Sequence, residues 1–578
     1  MRLSQLADYF EQLESLTSRD AIVGVLADLF AASESSEEIQ KLVYLCEGRL
    51  RPAYESVELG ISEQLAAQAI AEATGNEVSK IKELYKAIGD YGSVAERLIT
   101  WSGEGFTVTE AYEALLDLAS ITGKGSIDAK VSGLARLIKK LSPKEARYLL
   151  RVALGRLRLG IGDPTIMSGL AEAYGNRESL RSQIENAYNL CGDLGMVAYV
   201  LHVEGPETLG RFHVRLGKPV RVELAERAAS PEEIVARLGK CAVEPKYDGM
   251  RTQVHKQGSN VYIFTRNLEN ITSMFPDVVE ATNIQIKASE AIIEGEAISY
   301  DPETGEFHSF QVTVKRKRKH LVEEAERELP LKLMVFDCLY VNGAETLYEP
   351  YQERRRILHE IISPDETIEI TQAVITDDAR EIETFFDAMI TAGLEGIIAK
   401  ALDRPYMAGR RTFDWLKLKR SYQGKLEDTI DCVIVGYFTG KGKRAQWGIG
   451  SLLCTVYNER ADRFETVSKV ASGLTDEEWQ HLKKILDELR VPEKPVRVDS
   501  LYHPDVWVQP RYVIEVLADE ITRSPTHTAG RDGGTTGYAL RFPRIVRAIP
   551  TDRTPEDATT VEEIKRLYEL QRVSKVTD

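Results

Sequence analysis

Apolar positions along this chain keep two different rhythms. Up to about residue 205 they recur every three to four residues: Leu6, Tyr9, Phe10 and Leu13 share one helical face, as do Ile22, Leu26, Leu29 and Phe30. Ser142-Pro143-Lys144-Glu145 reads as a capping box with proline in the first turn, opening a helix through Ala146-Arg147-Tyr148-Leu149-Leu150. Gly48-Arg49-Leu50-Arg51 is echoed by Gly155-Arg156-Leu157-Arg158, a hint of two related halves. Punctuation at Gly205-Pro206 and Gly217-Lys218-Pro219 then gives way to short β-rich runs (261–266, 291–298, 331–341, 395–401) set between helical patterns. Beyond about 420 the runs 431–438, 450–457, 465–472, 506–510 and 511–518 predict a small antiparallel barrel, closed by a helix over 561–572.

A length of 578 residues exceeds one core and predicts two to four domains, and 43% apolar with 28% charged residues is a soluble, globular composition. No apolar run reaches the length of a membrane span. The start, with Glu11 and Glu14 among its apolar positions, is unlike a targeting peptide, so a cytoplasmic protein with no membrane association is expected. The six cysteines (46, 191, 241, 338, 432, 454) form no CxxC pair and read as buried free thiols. A net charge of −16 decides nothing about nucleic acid, since affinity for phosphate follows local basic surface.

The most informative segment is Glu244-Pro245-Lys246-Tyr247-Asp248-Gly249-Met250-Arg251. K-x-D-G-x-R arises by chance in roughly one chain in a hundred of this size, so alone it is compatible with a strand end and an exposed turn. A lysine attacks only as the free amine, which requires neighbouring cations or a dry pocket; Arg251 and a divalent ion would supply positive charge. No GxxxxGK[ST] loop occurs, and Gly440-Lys441-Gly442-Lys443 lacks its spacing, so bound phosphates would have to be held by side chains. Lys315-Arg316-Lys317-Arg318-Lys319 reads as a solvated face or a nuclear signal.

Around Lys246 the sequence resembles the covalent nucleotidyltransferases, the DNA ligases, RNA ligases and capping enzymes. Further family motifs follow in order: Phe264-Thr265-Arg266-Asn267, Glu294-Gly295-Glu296, Val335-Phe336-Asp337, Glu395-Gly396-Ile397-Ile398-Ala399-Lys400, Trp415-Leu416-Lys417-Leu418-Lys419 and Leu540-Arg541-Phe542-Pro543-Arg544. The helical stretch of about two hundred residues ahead of Lys246 and the RFPR segment are similar to ATP-dependent DNA ligases of the archaeal and eukaryotic replicative type. Capping enzymes usually carry an acidic residue within that last motif, and NAD-dependent ligases carry a four-cysteine zinc site; both are missing here.

The resemblance implies an all-α DNA-binding domain over 1–205, an α+β adenylation (nucleotidyltransferase) domain over 206–420, and an OB-fold β-barrel with a closing helix over 421–578. It implies ATP and Mg²⁺ as cofactors and nicked duplex DNA as the partner, and it adds a third reading of the basic run 315–319, a contact to the backbone of that duplex. Lys246 would carry AMP, with Glu244, Arg251, Arg266, Glu296, Phe336, Arg411, Lys417 and Lys419 contacting the nucleotide. Glu296 and Glu395 would face the metal, and Arg541 and Arg544 would orient pyrophosphate. Read without the resemblance, Phe336 is a core residue, Glu296 an exposed carboxylate, and Lys417 and Lys419 the solvated face of a strand. A monomer is expected. A sliding clamp is a partner of the family, but no clamp-binding peptide stands out; Gln40-Lys41-Leu42-Val43 lacks the aromatics. Residues 418–426 are the expected hinge for a barrel domain that closes over ATP and then swings away. An RNA-directed transferase and an inactive DNA-binding scaffold are the alternatives.

Overall fold

The computed structural model describes the chain apart from residues 17, 303–304, 319–320, 420–428, 441–447, 532, 548–552 and 575–578. From residue 420 on, the expected hinge lies outside the described residues, as does Lys319 of the basic run.

Helices run from Leu3–Ser15 to Leu194–Glu204. Leu6, Phe10 and Leu13 are buried on the first, with Tyr9 at its flank, and Ile22, Leu26, Leu29 and Phe30 are buried on the second. Side-chain burial rather than intrinsic propensity holds such short helices. The Ser142–Glu145 capping box forms, Glu145 accepting from the Ser142 amide at 2.7 Å. The two glycine–arginine echoes are the same helix-ending turn built twice. Gly48 and Gly155 both take positive φ (71° and 64°), and the Arg49 and Arg156 amides each donate five residues back, to the Tyr44 and Arg151 carbonyls.

The middle of the chain builds two five-stranded sheets from β1 (Leu224–Arg227), β2 (Cys241–Lys246), β3 (Met250–Gln257), β4 (Asn260–Thr265), β5 (Glu290–Ser299), β6 (Leu331–Val341), β7 (Ile368–Ile370), β8 (Val374–Thr376), β9 (Gly396–Ala401) and β10 (Arg411–Lys419). One sheet has the order β1-β10-β9-β2-β8 and the other β4-β3-β5-β6-β7. Each buries its outer face under helices: Leu416 and Leu418 pack with Ile234 and Ile382, and Ile293 and Val335 with Val278 and Leu358. The inner faces look at one another across a cleft.

The last part is a mainly antiparallel sheet of β11 (Ile430–Phe438), β12 (Ser451–Asn458), β13 (Arg463–Val470), β14 (Arg490–Val491), β15 (Val498–Asp499), β16 (Val506–Val508), β17 (Val513–Leu517) and β20 (Arg544–Arg547). A separate hairpin joins β18 (Glu520–Ser524) to β19 (Gly537–Arg541). Among the described residues the strand ladders follow an open path and do not close into a ring. The predicted closing helix is Val561–Ser574. The β-rich reading misses the helix Asp476–Glu488, although its signals are present: a Thr475–Glu478 capping box, then Trp479, Leu482 and Leu486 at helical spacing, all buried. No helix among the described residues is long and apolar enough to cross a membrane. All six cysteines are buried and unpaired.

Candidate active site

The cleft between the two sheets gathers most of the residues singled out from the sequence. Its walls include Glu244 and Lys246 of β2, Arg251 of β3, Arg266 just past β4, Glu296 of β5, Phe336 of β6, Glu395 and Lys400 at β9, and Arg411, Trp415, Lys417 and Lys419 of β10. Strand alternation explains the last set. Residues 411, 415, 417 and 419 share one face, so the lysine face of β10 is turned into the cleft and the leucines into the helices behind. Lys419 is therefore buried rather than solvated.

Lys246 ends β2, where its ammonium pairs with the Glu395 carboxylate. That carboxylate also takes the Lys419 ammonium at 2.5 Å. Burial alone would raise the Glu395 pKa, but Lys246 and Lys419 together hold it well below the usual carboxylate range. Two glycines make this cluster possible. Gly396 sits at φ 150°, and a Cβ there would lie 2.1 Å from the Leu418 carbonyl, so β9 approaches β10 closely only with glycine. Gly249 of the Lys246 segment has no positive φ; it is required because a Cβ would meet the Ala297 carbonyl at 2.7 Å and Glu296 Cγ at 2.8 Å.

Arg251 is held by partners other than the Lys246 cluster. Its guanidinium donates to the Glu223 carbonyl (2.6 Å) and to Glu294 (2.7 Å), and it lies over the Phe336 and Trp415 rings at 5.3 and 5.5 Å. Phe336 is half-buried, edge-on to Trp415 at 6.2 Å. Lys400 is 1% exposed, 4.6 Å from the Phe336 ring centre, and paired with Glu244 at 2.7 Å. Burial pulls the Lys400 ammonium pKa down, offset in part by Glu244 and Asp337. For Lys417, burial and then Arg227 push the pKa well below that of an ordinary lysine.

The C-terminal part of the chain closes the cleft with residues that sequence reasoning did not single out. Asp431, Arg553 and Asp557 line it, while Arg541 and Arg544 do not. Arg541 is exposed and donates to Thr522, and Arg544 pairs with Asp519 at 3.3 Å. Arg553 pairs with Asp431, Arg266 with Asp557 at 3.0 Å, and Arg411 with Glu563 at 3.0 Å. Burial would raise the Asp557 pKa, but Arg266 and the Thr554 amide hold it down at about 2. Lys400 could have been found from the sequence, as a charged residue inside an apolar strand; Arg553, in a turn-rich stretch, carries no such signal. Of the basic run, Arg316 is fully buried against Asp277 (2.7 Å) and so is not part of a solvated face, whereas Lys317 is partly exposed and pairs with Glu269.

Sequence models of known families match in three consecutive stretches. "DNA ligase N terminus" covers 2–171, "ATP dependent DNA ligase domain" 222–419, and "ATP dependent DNA ligase C terminal region" 445–551. A protein described as a probable DNA ligase from Dictyoglomus turgidum is 50% identical over 578 residues, covering 100% of this chain and 99% of the relative. A DNA ligase of Saccharolobus solfataricus is 42% identical, covering 100% and 98%. DNA ligase 2 of Thermofilum pendens is 42% identical, covering 98% and 97%.

Proposed function

The chain belongs to the ATP-dependent DNA ligases, enzymes that seal nicks through a covalent adenylate, and within that chemistry we propose that Lys246 is the residue that takes up AMP. The observation that carries the assignment is the Lys246–Glu395–Lys419 ion cluster at the mouth of a cleft lined by Phe336 and Trp415. A lysine with a fixed carboxylate and a second cation beside it is oriented for attack on a phosphate, and the aromatic wall suits a flat base.

In the first step Lys246 Nζ, once deprotonated, attacks the α-phosphorus of ATP; the P–N bond forms as the P–O bond to pyrophosphate breaks. Lys417 and Lys419 face the α-phosphate and offset charge on its oxygens, so the chain contributes position and electrostatics more than covalent chemistry. AMP then passes to the 5′-phosphate of the nick, and the 3′-hydroxyl displaces it. Glu244, Arg251, Arg266, Glu296, Phe336 and Arg411 complete the nucleotide pocket. Among the described residues Arg553 is the C-terminal cation that lines the cleft; Arg541 and Arg544, which lie outside it, would reach the leaving pyrophosphate only after the C-terminal part turns.

Mg²⁺ binds through one or two carboxylates plus phosphate oxygens and water, and Glu296 and Glu395, two carboxylates on one cleft, fit that donor set. Bound there, the ion would neutralise phosphate charge. We further assign the divisions 1–205, 206–420 and 421–578, and an OB-fold barrel to the last. Supporting the barrel, the Ile545 amide of β20 donates to the Ser472 carbonyl just beyond β13 at 2.8 Å, bridging the gap in the ladder path.

The test is incubation with α-³²P-ATP and Mg²⁺, wild type against Lys246→Ala, followed by nicked duplex DNA. A labelled band absent from the variant and discharged by nicked DNA is the expected result. Labelling of the Lys246→Ala protein would overturn the assignment, and discharge by RNA instead of DNA would redirect the substrate.

A further inference from the structure

Glu244 lines the cleft, but two of its three partners do not. Tyr351 and Arg355 stand one turn apart on the helix Tyr351–Ile361, behind the wall. Among the described residues, Glu244 Oε1 accepts the Tyr351 hydroxyl and Arg355 Nη1 (3.0 Å), whereas Oε2 takes only the Lys400 ammonium at 2.7 Å. Arg355 is itself fixed, its other terminal nitrogen donating to the Thr371 carbonyl. A carboxylate offers about four acceptor sites. Both on Oε1 are filled from behind, and one on Oε2 is left, on the oxygen whose ion-pair partner Lys400 also borders the cleft.

We propose that Arg355 is a positioning residue for purine discrimination. By filling Oε1 from behind, it holds Glu244 with its single unfilled acceptor site facing the base. This inference rests on the reading of the cleft as an ATP pocket. An acceptor held in that place favours a base edge that donates, such as an exocyclic 6-amino group, and repels a 6-oxo group. Without Arg355, the carboxylate can rotate about its last torsion toward Lys400, and the free site is no longer fixed.

The test compares self-labelling by ATP and by ITP, which replaces the 6-amino group with an oxo group and adds nothing at position 2. Full-length wild type, Arg355→Met, Arg355→Lys and Tyr351→Phe are assayed in single turnover over a range of nucleotide concentration. Wild type should prefer ATP. In Arg355→Met the ATP-to-ITP ratio of kcat/KM should fall at least about tenfold, carried mainly by KM for ATP, because a misaligned acceptor weakens base binding more than the phosphorus chemistry. Arg355→Lys should recover part of the ratio, and Tyr351→Phe, which removes one donor to the same oxygen, should lower it less. A merely structural role would depress both nucleotides equally. A ratio within about twofold of wild type in Arg355→Met, or a wild type indifferent to the two nucleotides, overturns the proposal. Should Arg355→Met fail to fold, Tyr351→Phe decides, an unchanged ratio overturning it. A wild type unlabelled by either nucleotide would instead sink the ATP-pocket reading itself.

Discussion

Replacing Arg354 by methionine should loosen the strand that presents Phe336, and the structure sets the size of the effect. Arg354 and Asp337 are both completely buried, joined by two hydrogen bonds (Nε–Oδ1 2.7 Å, Nη2–Oδ2 3.0 Å). Arg354 also donates to the Glu349 and Arg404 carbonyls at 2.7 and 3.0 Å. Methionine fills much of the volume but, among the described residues, leaves Asp337 with the Cys338 amide as its remaining hydrogen-bond donor. Breaking one side of a buried ion pair costs about 3–5 kcal/mol. A ceiling on the charge contribution comes from protonation: at pH 7 an unpaired carboxylate can take a proton for about 4 kcal/mol, given an ordinary pKa near 3.9. The expected loss is therefore about 3–5 kcal/mol. In the wild type, burial would raise the Asp337 pKa, but Arg354 brings it below the ordinary value. Its stabilisation is thus present above pH ~4 and lost as pH falls through the lower folded value, so the deficit of the variant should shrink toward acid. Amide hydrogen exchange of peptides from 331–341 in the full chain reads the local opening energy, and KM for ATP should rise as Phe336 loses its support. The double variant Arg354→Met/Asp337→Leu should recover stability. A single-variant loss below about 1 kcal/mol, or a double variant no better than the single, would refute the reasoning.

Gly396→Ala should abolish most self-adenylylation while leaving the N-terminal helices folded, since a Cβ 2.1 Å from the Leu418 carbonyl forces β9 off β10 and carries Glu395 with it; a labelling rate near wild type would show that the backbone yields elsewhere. Glu395→Gln should reduce labelling by about 10²-fold or more by freeing Lys246 and Lys419 from their common anchor, measured in single turnover at saturating ATP. His255 is fully buried, and burial pushes its pKa down to about 3, so the folded state holds it neutral. The unfolded chain binds that proton below pH ~6.5, so stability should fall as pH drops from about 6.5 toward 3, by on the order of 5 kcal/mol at most; unfolding curves of His255→Gln against wild type across that range should converge in acid.

Much of this protein was legible along the chain. Helical spacing and the Ser142–Glu145 box mark the N-terminal helices, because amphipathic burial and local capping are written within a few residues of where they act. Lys246, Phe336, Lys417 and Lys419 stood out through ordered short motifs, and strand alternation already placed both lysines on one face. The sequence could not say that this face looks into a cleft, because that depends on a second sheet contributed by β3 to β7. Nor could it pair Lys246 with Glu395, 149 residues away, or set Tyr351 and Arg355 behind Glu244. Arg553 lining the cleft, with Arg541 and Arg544 outside it, is decided by how the C-terminal part packs on the sheets. Local pattern fixes which side chains point the same way; only long-range packing fixes what they point at.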